Sequence, residues 1–199
     1  MHRPRRIRPR PTHRLAARGA LACAACLAGA GALADTGKLA LTGGVSTIEG
    51  SAGGGLVPWA IIGTQATEGQ RGGSVFASRV STRDYGLSVV GAAVAFDDRV
   101  EISFAHQDFD TGVTGTGLGL PGLRLRQDVV GVKLRLAGEA ILDSDSVLPQ
   151  IAVGLQHKHL RSSGLDSSLA AWGARREGVD LYLSASKLLL GPGILVNAM

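Results

Sequence analysis

The sequence predicts an all-β protein, an antiparallel meander of a transmembrane β-barrel that is incomplete at its C-terminal end. Three observations lead to this prediction: an export leader, the lack of any later apolar run of about 18 residues, and four segments that alternate between apolar and polar residues. Only helices and closed barrels satisfy their backbone groups in hydrocarbon. A membrane-spanning form of this chain therefore has to be a barrel.

Residues 1–34 have the pattern of a secretory signal peptide. Residues 1–18 contain seven Arg and no acidic residue, residues 19–33 are apolar, and Ala32-Leu33-Ala34 forms an A-x-A cleavage site before Asp35. The apolar run of about 15 residues is shorter than the roughly 20 that a membrane-spanning helix needs. We therefore predict export and cleavage after Ala34.

Removing the leader changes what the composition indicates. The whole chain has a formal net charge of +5, but seven of its 21 Lys and Arg lie in the leader, which leaves 14 against 16 Asp and Glu, a net charge of −2. The high pI therefore comes from the leader and does not indicate a nucleic-acid partner. Both cysteines, Cys23 and Cys26, also lie in the leader, so residues 35–199 have no disulfide and no cysteine ligand.

Residues 35–74 are predicted to form a Gly-rich opening segment that contains a first strand and a turn or plug. The Gly53-Gly54-Gly55 triplet suits a sharply bent backbone, and Pro58 cannot donate a hydrogen bond to a sheet. Glu49 is the only acid between Thr42 and Ala60. A buried Glu49 would need a cationic partner, and a Lys or Arg in the barrel lumen is the expected one.

Residues 75–199 are predicted to form the antiparallel strands of the partial barrel. Apolar residues occupy every second position from Val100 to Phe104, Val130 to Leu136, Ile151 to Leu155 and Val179 to Leu183. One further strand-like run covers residues 86–96. Four alternating segments of this kind indicate a sheet whose two faces differ in polarity.

The alternation also predicts which way the side chains point. In a membrane barrel we expect Val132 and Leu134 to face lipid, and Lys133, Arg135, Lys158 and Lys187 to face a water-filled lumen. Leu134→Arg is then expected to be costly and Lys133→Glu mild. The chain has only eight aromatic residues, too few for two full girdles. A soluble periplasmic β-sheet protein therefore remains an alternative.

Turn signals separate the strands at Asp97-Asp98, Gly112 to Gly122, Asp143 to Ser146 and Ser162 to Ser168. The first is short and the others are longer, which predicts tight turns at one rim and longer loops at the other. Residues 193–199 have the pattern of a fresh strand without a terminal aromatic residue. With about seven strands against the eight that a single-chain barrel needs, we expect an incomplete barrel that does not close as a monomer.

Three histidines follow apolar stripes and are candidates for metal binding. His157-x-His159 puts two imidazoles on one face of a strand, and His106 could supply a third zinc ligand. The simpler interpretation is that the three residues mark where strands leave the membrane. On this interpretation the chain binds no metal and no cofactor.

Other candidate motifs are incomplete. Asp108-x-Asp110 and Asp143-x-Asp145 space oxygen ligands as calcium loops do, but neither is followed by the bidentate Glu of a twelve-residue loop. Serines near the histidines could complete a hydrolase triad, yet no Gly-x-Ser-x-Gly elbow is present. Gly50 to Gly55 lacks the GK[ST] of a phosphate loop. We therefore predict no catalytic residues.

Seven stretches carry a resemblance to a known family: TGGVSTIEGSAGGGLVPWA at 42–60, RDY at 83–85, DRVE at 98–101, FDTG at 109–112, RQDV at 126–129, LPQ at 148–150 and GVDLY at 178–182. Through them the chain resembles a proteobacterial family of outer-membrane barrel proteins defined by a domain of unknown function, and residues 42–60 resemble the family's opening signature. The resemblance implies an outer-membrane β-barrel and carries no assigned chemistry.

The expected function is therefore that of an exported outer-membrane barrel, either a passive pore or a structural barrel, and not an enzyme. The expected partners are outer-membrane lipid and, if the lumen is open, small solutes. Two alternatives remain open, an outer-membrane hydrolase that acts on lipid and a soluble periplasmic β-sheet protein. No motif identifies a solute, a substrate or an oligomeric state.

Overall fold

A computed structural model describes residues 45–141, 148–162, 165–189 and 191–199, all of which belong to one compact unit that spans residues 36–199. The predicted signal peptide with its cleavage after Ala34, both cysteines and the predicted turn at Asp143 to Ser146 lie outside the described residues.

The described chain is almost entirely β-structure. Its strands are β1 Val45–Ser46, β2 Ala52–Gly53, β3 Arg71–Ser81, β4 Gly86–Phe96, β5 Val100–Asp110, β6 Arg124–Ala137, β7 Gln150–Leu160, β8 Glu177–Leu189 and β9 Ile194–Ala198. Two short helices, α1 Gly112–Gly117 and α2 Asp166–Ala171, lie in connections where the sequence predicts only turns. Among the described residues, no helix is long and apolar enough to cross a membrane.

Strands β3 to β9 form one antiparallel sheet in which every strand pairs with its neighbours in sequence. The sheet curls into a half-barrel, so the predicted antiparallel meander is confirmed. A separate two-stranded ribbon joins β1 to β2. The first strand of the large sheet begins at Arg71, inside the predicted opening segment of residues 35–74.

The connections lie at two rims of the sheet. Among the described residues, the rim that we call the loop rim carries residues 82–85, 111–123, 161–162 and 165–176, and the turn rim carries residues 97–99, 138–141, 148–149 and 191–193. Two of the predicted long loops do share a rim. Asp97-Asp98 lies at the turn rim, so this short turn is separated from those two loops as predicted, and the predicted turn at Asp143 to Ser146 lies outside the described residues.

The two faces of the sheet differ in polarity, as the alternation predicts. We call the face that carries Glu101 and Lys133 the inner face, and the face that carries Val132 and Leu134 the outer face. On the outer face, large apolar side chains are exposed on all seven strands; they include Val75, Val94, Ile102, Phe104, Val130, Val132, Leu134, Leu155, Leu181, Leu183 and Val196. We call this exposed apolar surface the outer band.

Residues 45–66, which we call the inner segment, lie against the inner face. Ile48 packs with Phe76 and Leu87 onto a buried cluster formed by Val89, Ala105 and Val129. Nearer the turn rim, Ile61 packs with Ala140 and Ile141. The apolar core therefore lies between the inner segment and the curled sheet.

Gly154 of β7 illustrates how closely the inner face is packed. A Cβ at this position would overlap the ring of Tyr182 on β8, the residue paired with it across the strands. We expect Gly154→Ala to reduce the free energy of unfolding by about 1 to 3 kcal/mol, because the ring has to move into occupied space. Gly178→Ala is the control, since a Cβ there meets no atom within 4 Å. Equal unfolding midpoints for the two variants in denaturant would contradict this packing.

Candidate functional site

A buried ion pair between Glu101 and Lys133 lies at the centre of the contact between sheet and inner segment. The two residues are direct cross-strand partners on β5 and β6. Their side chains are each 1% exposed, and the Lys133 ammonium lies 3.2 Å from the Glu101 carboxylate. Charges buried this deeply persist only when they are paired and hydrogen-bonded.

The backbone of the inner segment completes the coordination of both charges. Glu101 accepts hydrogen bonds from the amide of Ala52 at 2.9 Å and from the amide of Gly63 at 2.6 Å. Lys133 donates to the carbonyl oxygens of Ala52 at 3.0 Å, Trp59 at 3.1 Å and Ile61 at 2.8 Å. We call this arrangement the Glu101–Lys133 clamp, because it holds two separate parts of the inner segment against the sheet.

Two of the four predicted lumen cations differ from the prediction. Lys133 is on the inner face but sealed from water. Lys187 lies on the same face of β8 as Leu183, the outer face, and is the cross-strand partner of Val196. Near the turn rim, it donates a hydrogen bond to the Glu139 carbonyl at 3.0 Å. Arg135 also lies near the turn rim, where it contacts Asp98 and lies 2.8 Å from Glu139.

Lys158 forms a second charged contact to the inner segment. Its ammonium contacts the carboxylate of Glu49 and lies 2.7 Å from that of Asp180. The predicted cationic partner of Glu49 is therefore confirmed, and it comes from β7. A neighbouring contact, 3.4 Å between the Ser51 hydroxyl and the Tyr182 hydroxyl, attaches the same turn to β8.

Uncharged polar side chains of the inner face hold the rest of the inner segment. Gln150 donates to the Ala60 carbonyl at 2.8 Å, and the Ala60 amide donates to the Ser186 hydroxyl at 2.8 Å. At the other end of the segment, Gln107 donates to the Ile48 carbonyl at 2.7 Å. The inner face thus supplies side-chain partners for a backbone that has few ladder hydrogen bonds of its own.

The three candidate histidines lie on the outer face, between the outer band and the loop rim. His106 contacts Asp128 at 2.6 Å, and His159 contacts Glu177 at 3.0 Å. The register places His106, Asp128, His159 and Glu177 in one row across β5 to β8. His106 and His159 are therefore two strand spacings apart, about 10 Å.

This row contains residue types that bind metal ions, but its side chains do not converge on one point. Within the described ranges, no group of three or more His, Cys, Asp or Glu side chains is arranged to hold a metal ion. The hydrogen bonds described for His106 and His159 go to carboxylates and not to a serine hydroxyl, and His157 lies 4.0 Å from the Glu177 carboxylate. The three histidines do mark the border between apolar and charged residues on their strands.

The candidate calcium ligands Asp108 and Asp110 are used in contacts with arginine and backbone. Asp108 lies 2.7 Å from Arg124 and 3.3 Å from Arg126. Asp110 accepts a hydrogen bond from the Gly112 amide at 3.0 Å. The second candidate pair, Asp143 and Asp145, lies outside the described residues.

The Glu101–Lys133 clamp is the feature that sequence analysis missed. The alternation assigns both residues to the polar side of their strands, but it does not give the register that places them opposite each other. A usable signal was present, since Glu101 and Lys133 have opposite charges and each lies within an alternating apolar segment. Such charges on neighbouring strands are candidates for pairing.

Comparison with known proteins gives a family but no function. No curated protein and no solved structure shows a significant match to this chain. The sequence model described as protein of unknown function (DUF3034) matches residues 42–199, which include every described element of the fold. Because this match covers well over half of the sequence, the chain belongs to the DUF3034 family of proteins of unknown function.

Proposed function

We propose that this chain forms the wall of an outer-membrane β-barrel whose lumen is closed by the inner segment. The observation that carries the proposal is the distribution of side chains between the two faces of the sheet. The inner face buries charges, as Glu101 and Lys133 show, while the outer band exposes apolar residues on every strand. A barrel wall in a bilayer has this distribution, with lipid as the partner of the outer face.

The size of the exposed apolar surface argues against the soluble alternative. Val75 on β3 is 76% exposed and Leu181 on β8 is 75% exposed, and they belong to a band with members on all seven strands. Soluble monomers rarely expose contiguous apolar surface of this extent. The outer band therefore supports a lipid environment over a periplasmic one.

Strand length and rim composition agree with a membrane wall. Strands β3 to β7 have 11, 11, 11, 14 and 11 residues, and a tilted membrane strand needs about 9 to 11. Trp172 and Tyr85 are exposed at the loop rim. Amphipathic aromatic side chains favour the level of lipid headgroups.

The sheet needs further strands to close. Strands β3 and β9 each have one neighbour in the described sheet, so each has an edge of unpaired backbone groups. In hydrocarbon every unpaired group costs several kcal/mol. We propose that strands from beyond these seven, or from a second copy, close the barrel. After refolding into detergent micelles, a compact, protease-resistant monomer of this chain would contradict that part of the proposal.

The inner segment favours a structural barrel over a passive pore for small solutes. It covers the inner face through the clamp, through Lys158 and through Gln150, and it packs apolar residues at both ends. A solute could pass only if this segment left the lumen. The proposed role is therefore that of a closed barrel that presents its loop rim at the membrane surface.

Cell fractionation tests the location. We expect the full chain, expressed with its leader in a Gram-negative host, to be recovered in the outer-membrane fraction and to resist extraction by high salt. A protein that surface charge alone held on the membrane would be released by salt. Recovery of the full-length protein from the periplasmic extract would overturn the proposed location.

Single-channel conductance tests the closed lumen. We expect planar bilayers that contain the protein to show no stable open channel, and a variant that lacks residues 45–66 to conduct, because the deletion removes the only described segment on the inner face. A stable channel formed by the unchanged protein would favour the passive pore instead.

A further inference from the structure

We propose that Arg124, Arg126 and Arg161 bind the phosphate of an anionic membrane lipid at the loop rim. We call these three residues the arginine rim site. The inference rests on the proposed function, since it places the outer band in a bilayer. It adds a ligand class and a binding site that neither the fold nor the family supplies.

The arginine rim site is formed by neighbouring strands. Arg124 and Arg126 lie on the outer face at the start of β6, and the Arg161 amide donates to the Arg126 carbonyl at 2.7 Å just after β7. Their side chains are 45%, 56% and 61% exposed. The three arginines therefore occupy adjacent positions on neighbouring strands, and their side chains are accessible to a ligand.

Two half-buried carboxylates orient these guanidinium groups. Asp108 contacts the Nε atoms of Arg124 and Arg126, and Asp128 contacts one Nη of Arg161 at 2.8 Å. Asp110 also lies 3.8 Å from Arg124. A guanidinium has five N–H donors, so donors remain on each residue for a phosphate. Because the arginine rim site is surrounded by aspartates, recognition of a phosphate there depends on directed hydrogen bonds from the guanidinium groups more than on net positive charge.

The surroundings of the site favour a lipid over a free anion. Together the three arginines line an open cleft of about 490 Å³, whose wall also contains Leu120, Pro121 and Leu165. A cleft lined by both arginine and apolar side chains matches a molecule with a phosphate and a hydrocarbon portion. Inorganic phosphate would use only part of that surface.

The position of the site along the strand matches the depth of a lipid headgroup. Arg126 is four residues from Val130, the first residue of the outer band on β6, which is about 13 Å along a strand. A strand tilt of about 40° reduces this to about 10 Å along the membrane normal. The headgroup layer extends about 5 to 8 Å beyond the hydrocarbon on each side, and an arginine side chain can span the difference.

The test measures the unfolding midpoint of the protein in phosphatidylcholine micelles with added short-chain phosphatidic acid. We expect the midpoint to rise with phosphatidic acid, and to rise much less with equal amounts of inorganic phosphate or further phosphatidylcholine. The variant with Arg124, Arg126 and Arg161 all changed to Gln should need at least about tenfold more phosphatidic acid for the same shift. The control Arg71→Gln, which removes a single arginine at the turn rim, should respond like the unchanged protein.

A second variant separates binding from folding. Arg126→Lys keeps the charge but loses the planar fork that binds phosphate oxygens in pairs, so it should fold and still respond more weakly than the unchanged protein. An unchanged response of the triple variant, or an equal effect of inorganic phosphate, would overturn the inference and leave the barrel proposal intact. A chain that enters neither micelles nor membranes would overturn both.

Discussion

Replacing Lys133 with methionine is expected to reduce the free energy of unfolding by about 3 to 5 kcal/mol, the cost of leaving one member of a buried ion pair without its partner. Glu101 would remain 1% exposed, still held by the amides of Ala52 and Gly63 but without a cation. Three carbonyl oxygens of the inner segment would also each lose the hydrogen bond from Lys133. We therefore expect the inner segment to detach before the sheet unfolds.

Fluorescence can follow this detachment directly. The chain has two tryptophans, Trp59 in the inner segment and Trp172 at the loop rim, so a Trp172→Phe background leaves Trp59 as the reporter. We expect Lys133→Met to shift Trp59 emission to longer wavelength at lower denaturant concentration. Adding Glu101→Gln should recover part of the loss, because it removes the unpaired charge. A loss below about 1 kcal/mol for Lys133→Met would contradict the clamp.

The clamp reverses one expectation from the sequence. A lysine in a water-filled lumen would tolerate Lys133→Glu, but at this buried position the substitution would place a second carboxylate beside Glu101 and the carbonyl oxygens. We expect Lys133→Glu to be at least as damaging as Lys133→Met. The sequence locates Lys133 on the correct face, and only the structure shows that the inner segment covers it.

Leu134→Arg is expected to cost about 2 to 4 kcal/mol in a bilayer if Leu134 lies near the midplane. Leu134 is 42% exposed on the outer face, between Val100 on β5 and Val153 on β7. In water, an arginine at such an exposed position would change stability by only about 0.5 kcal/mol. The size of this effect, measured by unfolding from lipid vesicles, therefore distinguishes the two environments.

Leu118→Arg is the matched control for that experiment. Leu118 is 56% exposed in the connection at the loop rim, outside the outer band. The same chemical change there should be nearly neutral in vesicles and in water. Equal small costs for Leu134→Arg and Leu118→Arg would show that Leu134 does not lie near the midplane of a bilayer.

The sequence predicts the faces of the strands because side chains alternate with a period of two. Val132 and Leu134 are exposed on one side and Lys133 is buried on the other, as expected. The register between neighbouring strands is not predicted by this alternation, since it depends on the connections. The conformation of the 13-residue connection between β5 and β6 sets the register that pairs Glu101 with Lys133. The length of that connection alone does not predict which residues pair.

The inner segment was the least predictable part of the fold. Its β-branched runs at Val45 to Ile48 and Ile61 to Ile62 suggest strands, yet only Val45 and Ser46 are in a strand. Apart from β2, the remainder is irregular, and backbone groups of the inner segment bond to the side chains of Glu101, Lys133, Gln150 and Ser186. Those partners lie about 40 to 130 residues away in sequence, where local patterns carry no information about them.

Depth-dependent quenching of single labelled cysteines tests the central claim most directly. Residues 35–199 contain no cysteine, so Leu134→Cys, Leu181→Cys and Leu118→Cys each provide one labelling site. In vesicles, we predict that brominated acyl chains quench the labels at positions 134 and 181 while an aqueous quencher reaches only position 118. If the aqueous quencher reached all three positions equally, the outer band would lie in water and the barrel account would be wrong.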